Sequence, residues 1–280
     1  MATIYLNGDM LPLEQAHVSV EDRGFLFSDG VYEVVRAYGG RFFQLDAHLL
    51  RLQHSAEGAR LILHSVVQDL PAIMQQLLVE NNVQDTNIYI QYTRGVAHPR
   101  RHAFPTEVHP TLLVMTMAIH ALPANALNDG VPAVTVPDQR WQRCDIKSTM
   151  LLPNILAKEQ ARELGAYEAL LVRDGLVTEG SSTNTFAVFQ GVLATHPSGP
   201  HILGGITRDV VVTVASTVGL ALSEEPFSVE QLYQAEEAFL TSTTSEVLPI
   251  TQVDGRAIGN GRPGPVTMRL REAFLRVTSG

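Results

Sequence analysis

Residues 140–157 read RWQRCDIKSTMLLPNILA, with Lys147 between CDI and the uncharged run STMLLPNILA. The 280-residue chain holds only two lysines, Lys147 and Lys158, against eighteen arginines. Lys158 has an ordinary setting, because LAKEQAREL reads as an amphipathic helix on which it faces solvent beside Glu159. Lys147 has no such setting. It is either a surface side chain whose stem lies on apolar neighbours, or an amine kept partly desolvated so that its pKa falls and it can form an imine. The stretch alone leaves both readings open, and the segments around it have to decide.

Outward from that lysine, composition narrows the field. The apolar fraction of 45% is enough for a sizeable core in one large domain or two ordinary ones. A net charge of -9 argues against a general affinity for nucleic acid, so an anion site has to be a local exception. No apolar run reaches the ~20 residues of a membrane span. The start, MATIYLNGDMLPLEQ, lacks the basic and apolar regions of a signal peptide, and Cys144 is the single cysteine. A cytoplasmic protein acting on small molecules is expected.

Along the chain, TIYLNGDMLPL predicts a hairpin around Asn7-Gly8, and VYEVVRAYGGRFFQLD another at Gly39-Gly40. From Asp46, the expected N-cap, Leu49, Leu52, Ala56 and Ala59 share a helical face, and VVQDLPAIMQQLLVENN predicts a second helix. NIYIQYTRGV and PTLLVMTMAI alternate as strands around the loop AHPRRHAFPTEVH. HALPANALNDGVP then interrupts the pattern as a linker. Beyond it come β-rich segments and two helices, LLPNILAKEQARELG and TRDVVVTVASTVGL. The expectation is an α+β chain of two domains, 1–120 and 133–280, joined by a linker at 121–132, with a ligand cleft between the domains.

Three features are decoys. Gly259, Gly261 and Gly264 have dinucleotide-fingerprint spacing, but only sixteen residues follow, too few for the βαβ unit. A turn before a C-terminal helix explains them. His98 and His102 lie four apart, yet Pro99 argues for a loop, and no metal site is expected. Cys144 lacks a protease signature and reads as a buried, inert thiol.

Three other segments bear on Lys147. LGGITRDVVVTVA brings a Gly-Gly turn through Ile206-Thr207 into a helix, with free N–H groups and a dipole suited to a phosphate. LTSTTSEVLP clusters Thr241, Ser242, Thr243, Thr244 and Ser245 after an apolar strand, as an anion cradle or simply a capped turn. VTEGSSTNTF places Glu179 at a strand end, as a surface acid or a partner for a protonated ring nitrogen. Together they offer an amine, two phosphate cradles and an acid, which is what pyridoxal 5'-phosphate asks of a protein.

EDRGFLFSDGVYEVVR, RWQRCDIKS, TEGSSTN, GITRDVV and TSTTSE, in that order, resemble the fold-type IV (class IV) pyridoxal-phosphate aminotransferases, above all the D-amino acid aminotransferases. The resemblance runs nearly end to end. It implies a two-domain α+β fold with the cofactor in the interdomain cleft. It makes Lys147 the Schiff-base lysine and acid–base, and Glu179 the partner of the pyridine nitrogen. Arg51, Ile206, Thr207, Ser242 and Thr243 would hold the phosphate. Arg140, Leu203 and Ser182 would lie by the cofactor, and Tyr32 would lie near it on the substrate side.

HPRRHAFP resembles the carboxylate trap of the D-amino acid enzymes, an arginine and a histidine two apart, here Arg100 and His102. A planar guanidinium can grip a carboxylate at two points. In the family this loop reaches into a neighbouring subunit, which implies a homodimer. Arg101 departs from the pattern, where a smaller residue is usual, and its extra charge would favour acidic substrates. The implied activity is ping-pong transamination between D-amino acids and 2-oxo acids. The alternatives are a 4-amino-4-deoxychorismate lyase, an (R)-selective amine or branched-chain aminotransferase, and a cofactor carrier without turnover.

Overall fold

The computed structural model describes residues 2–63, 66–119 and 121–279. It divides into two compact units, Met1–His120 with Ile146–Met150, and Ala121–Asp145 with Leu151–Gly280.

The first unit runs through β1 (Thr3–Leu6), β2 (Asp9–Pro12), α1 (Arg23–Phe27), β3 (Gly30–Tyr38), β4 (Arg41–Phe42), α2 (Leu45–Gly58), α3 (Val66–Glu80), β5 (Thr86–Thr93) and β6 (Thr111–Met117). Its six strands form an antiparallel sheet in the order β2-β1-β6-β5-β3-β4. Leu6 pairs with Asp9, so Asn7-Gly8 is a two-residue turn, with φ of 52° and 114°. Positive φ at both positions matches the turn to the twist of its strands, which is why Asn-Gly suits it. Gly39 and Gly40 turn the second hairpin in the same way.

Along β3 every second residue is buried, and Val31, Val35 and Ala37 pack on Leu52 and Ala56 of α2 and on Leu70, Met74 and Leu77 of α3. Truncating Met74 or Leu77 to alanine would cost about 2–5 kcal/mol. Helix α2 begins two residues earlier than expected. Gln44 is its N-cap, and Asp46 lies in the first turn, where its carboxylate meets the positive end of the helix dipole instead of capping it.

The second unit contains α4 (Ala126–Asp129), β7 (Val131–Pro137), α5 (Leu152–Glu163), β8 (Glu168–Arg173), β9 (Leu176–Gly180), β10 (Asn184–Phe189), β11 (Val192–Thr195), α6 (Ile206–Thr217), β12 (Leu222–Ser223), α7 (Val229–Leu232), β13 (Glu237–Ser242), β14 (Glu246–Val253), β15 (Arg256–Ala257) and α8 (Pro265–Ser279). Its sheet runs β12-β11-β10-β13-β14-β7-β8-β9, with β15 on β14. Strand β7 lies parallel to both β14 and β8. Phe186 and Phe239 are directly opposed on β10 and β13 and stack at 4.9 Å in the core. Gly264 lies in the turn before α8, where a Cβ would strike the Glu237 side chain. That carboxylate accepts from the Val266 and Thr267 N–H groups and so caps α8. Among the described residues no helix is long and apolar enough to cross a membrane.

The expected domain boundaries change in two places. The linker at 121–132 instead carries α4 and the start of β7, because Ala126 and Val131 are buried in the second unit's core. Residues Ile146–Met150, expected in the C-terminal domain, group with the first unit. Ile146 is buried in that unit's core, and the segment bonds along the start of β3.

Candidate active site

The expected site residues are divided between the two units, and each set has its own geometry. In the first unit, Lys147 is fixed by its backbone. Its N–H donates to Ser55 Oγ of α2 at 3.0 Å, and its carbonyl accepts from Tyr32 N–H at 3.0 Å. Thr149 N–H donates to Gly30 O at 3.0 Å. The Lys147 Nζ lies 4.3 Å from the centre of the Tyr32 ring, and among the described residues it makes no ion pair. The amine that looked odd in sequence therefore sits over an aromatic face.

Tyr32 belongs to the half-buried face of β3, and Glu33 to the buried one. Glu33 is fully buried, and its carboxylate accepts from Arg51 Nε at 2.7 Å and Arg51 Nη2 at 2.8 Å. His48 Nδ1 lies 2.8 Å from the same carboxylate. Burial works against the charge on Glu33, but Arg51, with help from His48 and Lys147, holds the carboxyl down at about 2. Burial also keeps the His48 imidazole below its ordinary range. An ionised carboxylate only accepts, so the proton belongs on His48 Nδ1. Arg51, expected on a phosphate, is thus gripped at two points by a residue that sequence reasoning passed over. The signal was there: Glu33 falls in phase with Val31, Val35 and Ala37 along an apolar strand face.

Arg100, Arg101 and His102 lie on an exposed loop of the same unit. Arg100 stands 4.3 Å from the Phe27 ring centre, and the His102 ring is 5.4 Å from it. His98 pairs with Glu21 at 2.6 Å, so the two histidines that invited a metal reading are engaged separately.

In the second unit, Glu179 stands near the end of β9, buried. Its carboxylate accepts from Arg140 Nη1, from Asn184 Nδ2 at 2.9 Å and from Leu203 N–H at 3.1 Å. Burial pushes its carboxyl up to about 7 against the pull of Arg140. Arg140 is gripped from its other side by Asp138, at 2.9 Å from both Nε and Nη2. Burial opposes the charge on Asp138 as well, but Arg140 wins there and keeps the carboxyl low.

Leu203, expected to back a ring, meets Glu179 through its backbone. Asn184, not anticipated, links Glu179 to the Leu203 carbonyl at 2.9 Å. Beyond Leu203, Gly205 starts α6 with no side-chain cap. A Cβ at Gly205 would come within 1.9 Å of Asn184 Oδ1, so any larger residue would have to displace that amide. Ile206 and Thr207 then open the helix, as expected.

The hydroxyl cluster forms the turn between β13 and β14. Ser242 Oγ accepts from Ser245 N–H at 2.9 Å and closes the turn on itself, leaving Thr243 partly exposed. Thr241 Oγ1 is buried without a partner, directly across from Asn184 on β10. Ser182 is exposed and reaches Glu168 Oε2 at 3.3 Å, whereas its neighbour Ser181 is buried. Cys144 is buried, its Sγ donates to Trp141 O at 3.3 Å, and burial pushes the thiol up.

Lys158 differs from its expected solvated setting beside Glu159. It donates to the Tyr167 carbonyl and lies 3.6 Å from the buried Glu168 carboxylate, while Glu159 pairs with Arg162. Helix α5 rests on β8 through Ala157 and Ala161, and this close packing brings the lysine stem within reach of Glu168.

A family profile described as amino-transferase class IV matches residues 30–253. The D-alanine aminotransferase of Staphylococcus haemolyticus is 44% identical, over 98% of this chain and 97% of its own length. Among solved structures, the branched-chain amino acid aminotransferase of Escherichia coli overlaps with a TM-score of 0.93 at 29% identity, covering 98% of this chain and 94% of that one. The T.th. branched-chain enzyme, solved with pyridoxamine 5'-phosphate, gives 0.89 at 30% identity, covering 99% and 94%. The chain belongs to the class IV aminotransferases.

Proposed function

We propose that the chain transaminates D-amino acids of the D-alanine and D-glutamate type with 2-oxo acids, in ping-pong fashion, using pyridoxal 5'-phosphate. What carries this reading is the 44% identity to a D-alanine aminotransferase over nearly the whole length. The branched-chain alternative has the 0.93 structural overlap in its favour, but at 29% identity.

The residues present suit that cofactor. Glu179 is a buried carboxyl brought to about 7, so a cationic ring N–H would stabilise its charged form. Thr241 Oγ1 is a buried hydroxyl lacking a partner, and α6 offers an uncapped N-terminus behind a glycine whose replacement would push on Asn184. When bound, the cofactor supplies an electron sink for the charge left on a carbon that loses its proton.

The chain's own groups do the rest. Lys147 would carry the cofactor and move the proton at Nζ, which lies over the Tyr32 ring. Glu179 would face the ring nitrogen, oriented by Arg140 and Asn184, with Leu203 against the ring and Ser182 in the adjoining turn. Arg51, the Ile206 and Thr207 amides, Ser242 and Thr243 would hold the phosphate. Glu33 would fix the Arg51 fork. Arg100 and His102, with Tyr32, would receive the substrate carboxylate.

The working form is a cytoplasmic homodimer. Exposed Phe25 and Leu50 in the first unit and Leu152, Ile155 and Leu156 along α5 support self-association. Light scattering that gives a monomer mass would reject it. Activity is tested with D-alanine and 2-oxoglutarate, measuring pyruvate and the chirality of the glutamate. Pyruvate without matching D-glutamate rejects the reading. Borohydride reduction should place the pyridoxyl label on Lys147, and a label confined to Lys158 would defeat that assignment.

A further inference from the structure

The loop carrying Arg100 and His102 is exposed, yet its backbone is held by one buried side chain. Arg23, the first residue of α1, is 4% exposed. Its Nη1 donates to Arg101 O at 2.6 Å and Ala103 O at 3.3 Å, and its Nη2 to His102 O at 3.2 Å. Its Nε donates to Asp29 Oδ2 at 2.8 Å, and Asp29 also grips Arg94 through both carboxylate oxygens. Arg94 in turn lies 3.6 Å from the Phe104 ring centre, pinning the far end of the loop. One turn along α1, Phe27 presents its ring to Arg23 at 4.9 Å, to Arg100 at 4.3 Å and to the His102 ring at 5.4 Å.

We infer that Arg23 and Phe27 are positioning residues that set how Arg100 and His102 are presented to the substrate carboxylate. Arg23 fixes the backbone between them by taking three consecutive carbonyls. Phe27 spaces the two side chains by contacting both. A five-donor planar fork is suited to this task, and a lysine ammonium cannot serve Asp29 and three carbonyls together. Two-point recognition of a carboxylate depends on the alignment of its donors, so a loosened backbone weakens binding before it touches the chemistry. The inference rests on the reading that Arg100 and His102 hold the carboxylate.

The test compares Arg23→Lys, Phe27→Leu and Arg100→Ala in the holoenzyme. For Arg23→Lys we expect KM for D-alanine to rise about tenfold while kcat falls less than about threefold, the pattern of lost ground-state binding. Competitive inhibition by propionate, which has a carboxylate and no amine, should weaken in step. Trypsin should also cut faster after Arg100 and Arg101, a readout independent of turnover. If KM and propionate inhibition stay within about twofold of wild type in Arg23→Lys while Arg100→Ala raises both, the clamp is wrong and the carboxylate reading stands. If Arg100→Ala also leaves both unchanged, the carboxylate reading itself falls. Should Arg23→Lys not fold, Phe27→Leu, which leaves the Arg23 bonds in place, is judged by the same constants. Wild-type values there overturn the inference.

Discussion

Replacing Glu33 by glutamine isolates the electrostatics of the first unit. The carboxyl sits fully buried between Arg51 and His48 and is held at about 2, against an ordinary 4.5. Each tenfold change in proton affinity is worth about 1.4 kcal/mol, so the ionised form gains ~3 kcal/mol on folding. Because the folded value is depressed, that stability is present above pH 4.5 and is lost as pH falls toward 2. Glutamine keeps the shape, removes the charge and leaves the Arg51 guanidinium facing a neutral amide.

The assay is urea unfolding of the cofactor-free protein at a series of pH values. Five of the seven tyrosines, Tyr5, Tyr32, Tyr38, Tyr89 and Tyr92, lie in the first unit, so near-ultraviolet tyrosine dichroism follows it. The gap between wild type and Glu33→Gln should be ~3 kcal/mol at pH 6 and shrink to about 1 kcal/mol at pH 3. Parallel stability curves across that range would refute the placement of the charge and the role given to Arg51.

Glu179→Gln should act in the opposite sense in the next pH window. The carboxyl is raised from 4.5 to about 7, so the stability it gives as a protonated group is lost as pH rises through 7. Cofactor-free wild type should therefore lose ~3 kcal/mol relative to Glu179→Gln between pH 4 and 8. The fluorescence of Trp141, the single tryptophan and a member of the second unit, reports it, and a constant gap rejects the shift. Gly205→Ala brings a Cβ onto Asn184 Oδ1 and should cost about 1–3 kcal/mol while weakening cofactor affinity. An absorbance titration and a melting curve both matching wild type would exclude that. Arg101 is exposed, and only its carbonyl is held by Arg23. Arg101→Ala should lower the kcat/KM ratio of D-glutamate to D-alanine severalfold, and an unchanged ratio means the extra charge does not select acidic substrates.

Local chemistry was legible without coordinates. Asn7-Gly8 and Gly39-Gly40 turn where positive φ is needed, the alternation along β3 survives as its two faces, and α6 opens at Ile206 behind its glycines. These features rest on sterics and periodicity over a few residues, which any short stretch carries. The oddness of Lys147 was legible in the same way. Its surroundings were not. Tyr32 and Ser55 are its partners because residues 146–150 return to the first unit, more than ninety positions after Ser55. Glu33 was visible as an acid in an apolar phase, but its grip on Arg51 needed α2 to cross β3. Lys158 shows the converse, since its helix is legible in the sequence while its partner, Glu168, is set by the packing of α5 on β8. Residue type and spacing determine which groups are available for chemistry. Which of them meet, and so which are neutralised and which are left for a substrate, is decided by burial and contact between segments distant in the chain.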